Sequence, residues 1–244
     1  GLPMVDVDGM GRAFPEIQMV TFTIGGQSAS PMIFIDEKGN LGLMETVTNK
    51  WVETVCRAGC TACGGSVLSV EYVMEARVVK EFGVKGIVTR SQELGRTIRA
   101  IKNCPEGMTP EQYFLEYTQG HRLFKGKIAD LVRETRGGFN FGRVMLDGIG
   151  EDKGRNAFVE FQNENLACTV EGEIVATTPD LICLVDTETF MPIPTDALKY
   201  GKRVLAVGLP CFHLWRTPEG LELAGPRYFG LDTDYIPVEE RCKK

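Results

Sequence analysis

The sequence has no apolar run of about 18 residues, the length a membrane-spanning helix requires, and so predicts no membrane partner. It has no basic surplus: 27 Lys and Arg stand against 33 Asp and Glu, a net charge of −6. Nucleic-acid binders usually carry a basic stripe. The main basic stretch here, Arg90 to Lys102, has Leu94, Ile98 and Ile101 at helical spacing, so its charges read as the wet face of a helix and no nucleic-acid partner is expected. Histidine is scarce, with His121 and His213 far apart at segment boundaries, whereas a zinc site needs clustered ligands. The nucleophile-elbow pattern G-x-S-x-G is absent, which argues against serine hydrolysis of that type. The N-terminus lacks the basic start and apolar stretch of a signal peptide. Eight scattered cysteines are too few for a disulfide scaffold, so reduced thiols and a cytoplasmic location are expected. The first residue is Gly1 rather than methionine, which predicts processing or excision from something longer.

What is present is an ordinary globular composition with one excess. Apolar residues make up 43% and charged residues 25% of 244, and glycine reaches 28, above the usual ~7%. The pattern divides into three passages. In the first, to about Gly65, Leu2 to Asp8 reads as a strand ending in carboxylates, and Gly9-Met10-Gly11 breaks it. A short helix or turn is expected from Arg12. Val20 to Ile24 and Met32 to Ile35 are strand candidates. Thr48 to Cys63 reads as a helix capped by Thr48 or Asn49, with Trp51, Val52 and Val55 near one face. The second passage, to about Gly120, is helix-rich. Ser91 is expected to cap a helix running to about Lys102, and Thr109-Pro110-Glu111 to start another. From His121 onward, short apolar segments at Phe124–Val132, Arg143–Leu146, Ala157–Phe161, Leu166–Val170, Glu173–Ala176, Leu181–Val185 and Val204–Val207 alternate with turns, the pattern of a β-rich module.

Three groups of residues bear on chemistry. Cys56, Cys60 and Cys63 form C-x3-C-x2-C, a spacing that can hold three irons of a cluster. On a helix the same residues share one face and pack as small hydrophobes, which is the favoured reading. Gly9-Met10-Gly11 lacks the third glycine of a dinucleotide fingerprint, where Phe14 stands, and Pro15 interrupts the following helix. The segment still gathers polar groups. Asp6 and Asp8 alternate to one side of a strand, and Arg12 and Glu16 lie one turn apart if the next stretch is helical. They make either a polar site at a strand end or a turn held by an Asp–Arg pair. The third group is Glu160 to Asn165. On one strand Glu160, Gln162 and Glu164 would share a face, able to bind an amide or a metal, although the solvated face of an edge strand is favoured. Asp180, Asp186, Asp232 and Asp234 are expected to cap turns.

The run from Leu2 to Glu16 (LPMVDVDGMGRAFPE), continuing through Gln18-Met19, closely resembles the S-methyl-thiohydantoin desulfurase-like family. Further matches follow in order. They are Thr135-Arg136-Gly137-Gly138-Phe139 with Gly142, Phe161 to Leu166 with Pro179-Asp180-Leu181-Ile182, and Gly225-Pro226 with Phe229-Gly230-Leu231-Asp232. The resemblance implies an α+β protein: a truncated α/β first domain over residues 1–65, then a mixed second domain over 66–240, helix-rich at 66–120 and β-rich at 121–240. It implies an association with hydantoinase or oxoprolinase subunits and a small cyclic-amide substrate. The reaction expected is hydrolytic loss of sulfur from an S-methyl-thiohydantoin ring. Asp8 or Glu16 would activate water and Arg12 would steady developing charge, with Asp6, Gln18, Asn163 and Glu164 binding substrate. Two alternatives stand beside it: a non-catalytic subunit or fused module of a hydantoinase or oxoprolinase, and a metal-binding module using the carboxylates. Cofactor, metal and self-association are left open.

Overall fold

The computed structural model of this chain describes residues 3–243. By contact these form two compact units. One runs up to Ile87 and takes in Thr135–Phe139; the other holds Val88–Glu134 and the residues from Asn140 onward. The class is α+β.

The first unit is built from β1 (Val7–Asp8), α1 (Thr21–Ile24), β2 (Met32–Ile35), β3 (Leu41–Met44), α2 (Asn49–Ala62), β4 (Leu68–Val70), α3 (Ala76–Phe82) and β5 (Val84–Lys85). β2 is the centre of a three-stranded antiparallel sheet in the order β3-β2-β4, and β1 pairs with β5. Alternation along β2 turns Met32 and Phe34 to one face and Ile33 and Ile35 to the other. Met32 is fully buried in a core with Ala29, Val52, Cys56 and Tyr72. The helix predicted over 48–63 is present. The Thr48 hydroxyl accepts from the Trp51 amide at 3.3 Å, as a capping residue does. Its inward face is centred on Val52 and Cys56, four residues apart, so Trp51 and Val55 stand exposed instead of sharing that face.

Two local expectations fail here, and one is decided between its alternatives. Val20 to Ile24 is not a strand: Thr21–Ile24 is a single helical turn, closed by Gly25 N–H to Thr21 C=O at 3.0 Å, and a four-residue apolar run has no period that separates the two. Of the short helix or turn expected from Arg12, no helix forms: bends at Arg12, Pro15 and Glu16 lead into a turn closed by the Met19 amide on the Glu16 carbonyl at 3.1 Å, because Gly11 takes φ +73° and Pro15 cannot join a helical ladder. The strand expected over Leu2–Asp8 reduces to Val7–Asp8, with Leu2 outside the described residues.

The second unit begins within α4 (Ile87–Arg99) and continues with α5 (Pro110–Thr118). α4 starts one turn before Ser91. Gly86, at φ +74°, lets the chain swing directly from β5 into the helix, and Ser91 lies inside it. α5 starts where predicted. The Thr109 hydroxyl accepts from the Gln112 amide at 3.2 Å, the Gln112 side chain accepts from the Thr109 amide at 2.9 Å, and Pro110 follows.

The β-rich passage forms one sheet from β6 (His121–Arg136), β7 (Phe139–Gly148), β8 (Asn156–Gln162), β9 (Glu164–Val170), β10 (Glu173–Thr177), β11 (Leu181–Asp186) and β12 (Arg203–Leu209). Every segment expected as a strand here is one. Their order is β10-β9-β8-β7-β6-β12-β11, and β11 returns beside β9 and β10, so the sheet curls on itself. Bulges between Glu160 and Phe161 and between Ala206 and Val207 supply the bending. β12 explains its own unbroken apolar run. Val204 and Ala206 enter the core inside the curl, while Leu205 and Val207 face Ile98, Ile101 and Phe114 from the helices, so both faces are covered. The chain closes with α6 (Pro218–Ala224) and α7 (Val238–Arg241).

The aspartates divide. Asp186 caps a turn, accepting the amides of Glu188 and Thr189 at 3.0 and 2.9 Å. Asp232 and Asp234 pair with Arg227 instead of capping backbone. Asp180, expected as a turn cap, is wholly buried. It accepts from the Cys211 and Val238 amides and from the Tyr235 hydroxyl, which makes it a tie for the C-terminal segment.

Candidate functional site

The first unit carries the polar loop that the sequence singled out, and its geometry follows from the turn at its start. Asp8 Oδ1 accepts the amides of Met10 and Gly11 at 2.8 and 2.7 Å, the local bonding by which aspartate folds the backbone. The Gly9 carbonyl then accepts the Thr21 amide at 2.6 Å, which pins the loop's two ends. Between them Arg12, Glu16 and Gln18 are all buried. The Arg12 guanidinium lies over the Phe14 ring, 4.6 Å from its centroid, and donates to the Ala13 carbonyl at 2.9 Å.

Glu16 is the meeting point. Its Oε2 accepts from the Gln18 amide nitrogen and from Lys50 Nζ, and the Lys50 side chain is half exposed while Glu16 is 7% exposed. A buried carboxylate is thus joined to solvent through an ammonium group. One turn further along α2, Glu53 accepts the Ile17 amide at 2.9 Å and the Arg57 guanidinium. Arg57 in turn donates to the Pro15 carbonyl at 2.8 Å and the Gly138 carbonyl at 3.1 Å, and stacks 3.8 Å from the centroid of Phe139. Lys50, Glu53 and Arg57 recur at i, i+3 and i+7, so one charged edge of α2 grips the loop at residues 15–18.

Glu16 and Gln18, both expected in the site, are in contact here, whereas Lys50, Glu53 and Arg57 were missed by sequence reasoning. The signal was available as three charges at one helical spacing, beside the inward Val52 and Cys56. Asp6 and Asp8 sit at the loop's entrance, with Asp8 engaged in its turn. The Gly137-Gly138-Phe139 motif also gains a purpose. Gly138 holds φ +78°, and a Cβ there would sit 2.9 Å from the Arg57 stem.

Asn163 and Glu164 belong to the second unit. The expected single strand through Glu160, Gln162 and Glu164 is a hairpin instead. Asn163 takes the left-handed turn position at φ +57°, so Gln162 and Glu164 pair across strands. Asn163 Oδ1 accepts the Asn140 amide at 2.8 Å, and its carbonyl accepts from Thr195. That unit also has a cleft of about 610 Å³ lined by Glu111, Arg122, Lys125 and Phe190 among others. Glu111 bridges Arg122 at 3.1 Å and Lys125 at 2.7 Å, and buried Asp152 accepts from Arg122, Arg155 and the Lys125 amide.

Among the described residues no group of three His, Cys, Asp or Glu side chains is placed to hold a metal ion. Cys56 of the C-x3-C-x2-C run lies in the core, where burial pushes its thiol up to about 11. Among the described residues no helix is long and apolar enough to cross a membrane.

The S-Me-THD-like N-terminal domain profile matches residues 1–46, and the S-Me-THD-like C-terminal domain profile matches residues 47–238. The chain belongs to the S-Me-THD-like family. No curated protein matches it. A crystal structure of a protein from Chromobacterium violaceum shares the fold with a TM-score of 0.75 at 21% sequence identity, over 96% of this chain and 66% of that one. The S-Me-THD-like chain therefore spans just under two thirds of that protein's length. The boundary between the two family domains falls two residues before Asn49, so the buried loop comes from the N-terminal domain and the helix that grips it from the C-terminal one.

Proposed function

We propose that this chain acts on S-methyl-thiohydantoins or closely related cyclic amides, replacing the sulfur substituent with oxygen. The observation that carries the reading is Glu16, a buried carboxylate held by Gln18 and Lys50 inside the family's own N-terminal motif. In the reaction a water oxygen attacks the ring carbon that bears the S-methyl group. The carbon–sulfur bond breaks, methanethiol leaves with one water proton, and the other proton stays with the ring amide. Glu16 takes the proton from the attacking water. Lys50 offers a cation to the negative charge that develops at the ring, and Arg12 serves the same end. Asp8 is the alternative base. Gln18, together with Asp6, reads the amide edge of the ring.

The test is turnover of an S-methyl-thiohydantoin in ¹⁸O-labelled water, with detection of methanethiol and of label in the new ring carbonyl. Glu16→Gln is expected to lower kcat by about 10²–10⁴-fold, the range of a lost acid–base group, with the fold intact by circular dichroism. Unchanged turnover in that variant overturns the role. No turnover by the wild-type chain, with co-purification of a hydantoinase or oxoprolinase subunit, would mark a non-catalytic module instead.

A further inference from the structure

We propose that the second unit's cleft, between α5, β6 and the turn at 186–190, binds a small organic carboxylate, a monoanion with an apolar body. Its volume of about 610 Å³ is that of a small-molecule site. An irregularity in β6 aims two cations into it. The register runs Ala206–Phe124 and then Val207–Arg122, so Leu123 has no cross-strand partner of its own. In a regular strand Arg122 would share the face of Phe124, which is fully buried in the large sheet's core. The bulge instead turns Leu123 and Phe124 both inward and sets Arg122 on the cleft side with Lys125. Bulges re-aim side chains in this way beside functional sites.

Both cations are pre-positioned. Asp152, 2% exposed, accepts from Arg122 Nη2 and from the Lys125 backbone amide, so one buried carboxylate sets the pair. Glu111 takes Arg122 Nε and one Lys125 N–H. Arg122 Nη1 and the remaining Lys125 donors engage no acceptor among the described residues, so what the pair offers a ligand is N–H groups alone. The cluster holds three cations, Arg122, Lys125 and Arg155, against two carboxylates, Glu111 and Asp152. Glu151 and Glu188 stand exposed at the rim, and they repel a dianion such as phosphate more than a monoanion. Pro110 and Leu115 supply an apolar wall for the ligand's body. Phe190 closes the floor. Its backbone sits at φ +57°, a genuine outlier for an aromatic residue, and its ring lies on Phe114 with centroids 5.2 Å apart. This inference is independent of the reaction proposed above.

Calorimetric titration of the full chain with butyrate and with benzoate, at ~0.15 M salt, tests it. Each should bind with a Kd of about 1 mM, the affinity open to fragments of this size. Inorganic phosphate should bind at least about 10-fold more weakly, and butylamine not at all. Lys125→Met keeps the apolar stem, removes the charge and leaves the backbone amide on Asp152. It should weaken both carboxylates at least about 10-fold, with the far-UV spectrum unchanged. Should that variant fail to fold, Arg122→Lys, which keeps a cation beside Asp152 but lacks the second guanidinium arm, should weaken binding by about 5-fold. Lys80→Met, an exposed cation of the first unit, should leave the affinity unchanged. No carboxylate binding up to about 20 mM, equal binding by folded Lys125→Met, or tighter binding of phosphate or butylamine overturns the proposal.

Discussion

The Tyr235 hydroxyl donates to Asp180 Oδ1 at 2.9 Å and joins residues 55 apart in sequence. The same carboxylate accepts the Cys211 amide at 2.9 Å and, through Oδ2, the Val238 amide at 2.8 Å, while Arg216 lies 3.4 Å away. One fully buried side chain thus collects three stretches of the C-terminal segment.

Asp180→Ala should destabilise the protein by about 3–5 kcal/mol, because it strands two buried amides and a phenol at once. Urea unfolding measures the loss, and limited proteolysis should cut first between Tyr235 and Arg241. A change below about 1 kcal/mol would mean that the segment is held elsewhere.

Acid sensitivity should be traceable to Glu239. Arg216 beside it holds its carboxyl below the ordinary 4.5, and burial opposes this without overcoming it. Because the folded value is depressed, the stabilisation is fully present above the unfolded value and is lost as pH falls through the folded one. Glu239→Gln should therefore lower stability by about 1 kcal/mol at neutral pH, the scale of a partly exposed two-pronged pair, and flatten the decline below pH ~4.5. Urea midpoints between pH 3 and pH 7 read the difference. Parallel curves for wild type and variant would remove Glu239 from the account.

The grip of α2 on the polar loop makes Arg57→Ala costly. It leaves the Glu53 carboxylate buried beside the Ile17 amide with its cation gone, a change worth about 3 kcal/mol. Gly138→Ala should act in the same direction by about 1–2 kcal/mol, through a strained φ and contact with the Arg57 stem. In a double-mutant cycle the pair should be less than additive, because the steric part of the Gly138 effect disappears with Arg57. Strict additivity would place the Gly138 cost wholly in its backbone.

Long periodic elements were legible from the residues alone. The Thr48 cap, the Thr109-Pro110 start and the seven strands of the large sheet each rest on local chemistry that tertiary contacts did not need to override. Legibility ended where a residue's role depends on a distant partner. Nothing near Asp180 in sequence announces Tyr235 or Val238, and nothing near Glu16 announces Lys50. Short segments failed for another reason. Val20 to Ile24 and Glu160 to Glu164 are too brief for a period to declare itself, and a backbone turn, at Gly25 in one and Asn163 in the other, decided their course.

Phe34 lies on the inner face of the small sheet, its ring pressed where side chains at Gly42 and Gly59 would otherwise stand; a Cβ at those positions would come within 2.4 and 3.1 Å of it. The ring locks β2 to β3 on one side and to α2 on the other. Strand and helix thus close on one ring through two residues that carry no side chain, and the thickness of that ring sets their spacing.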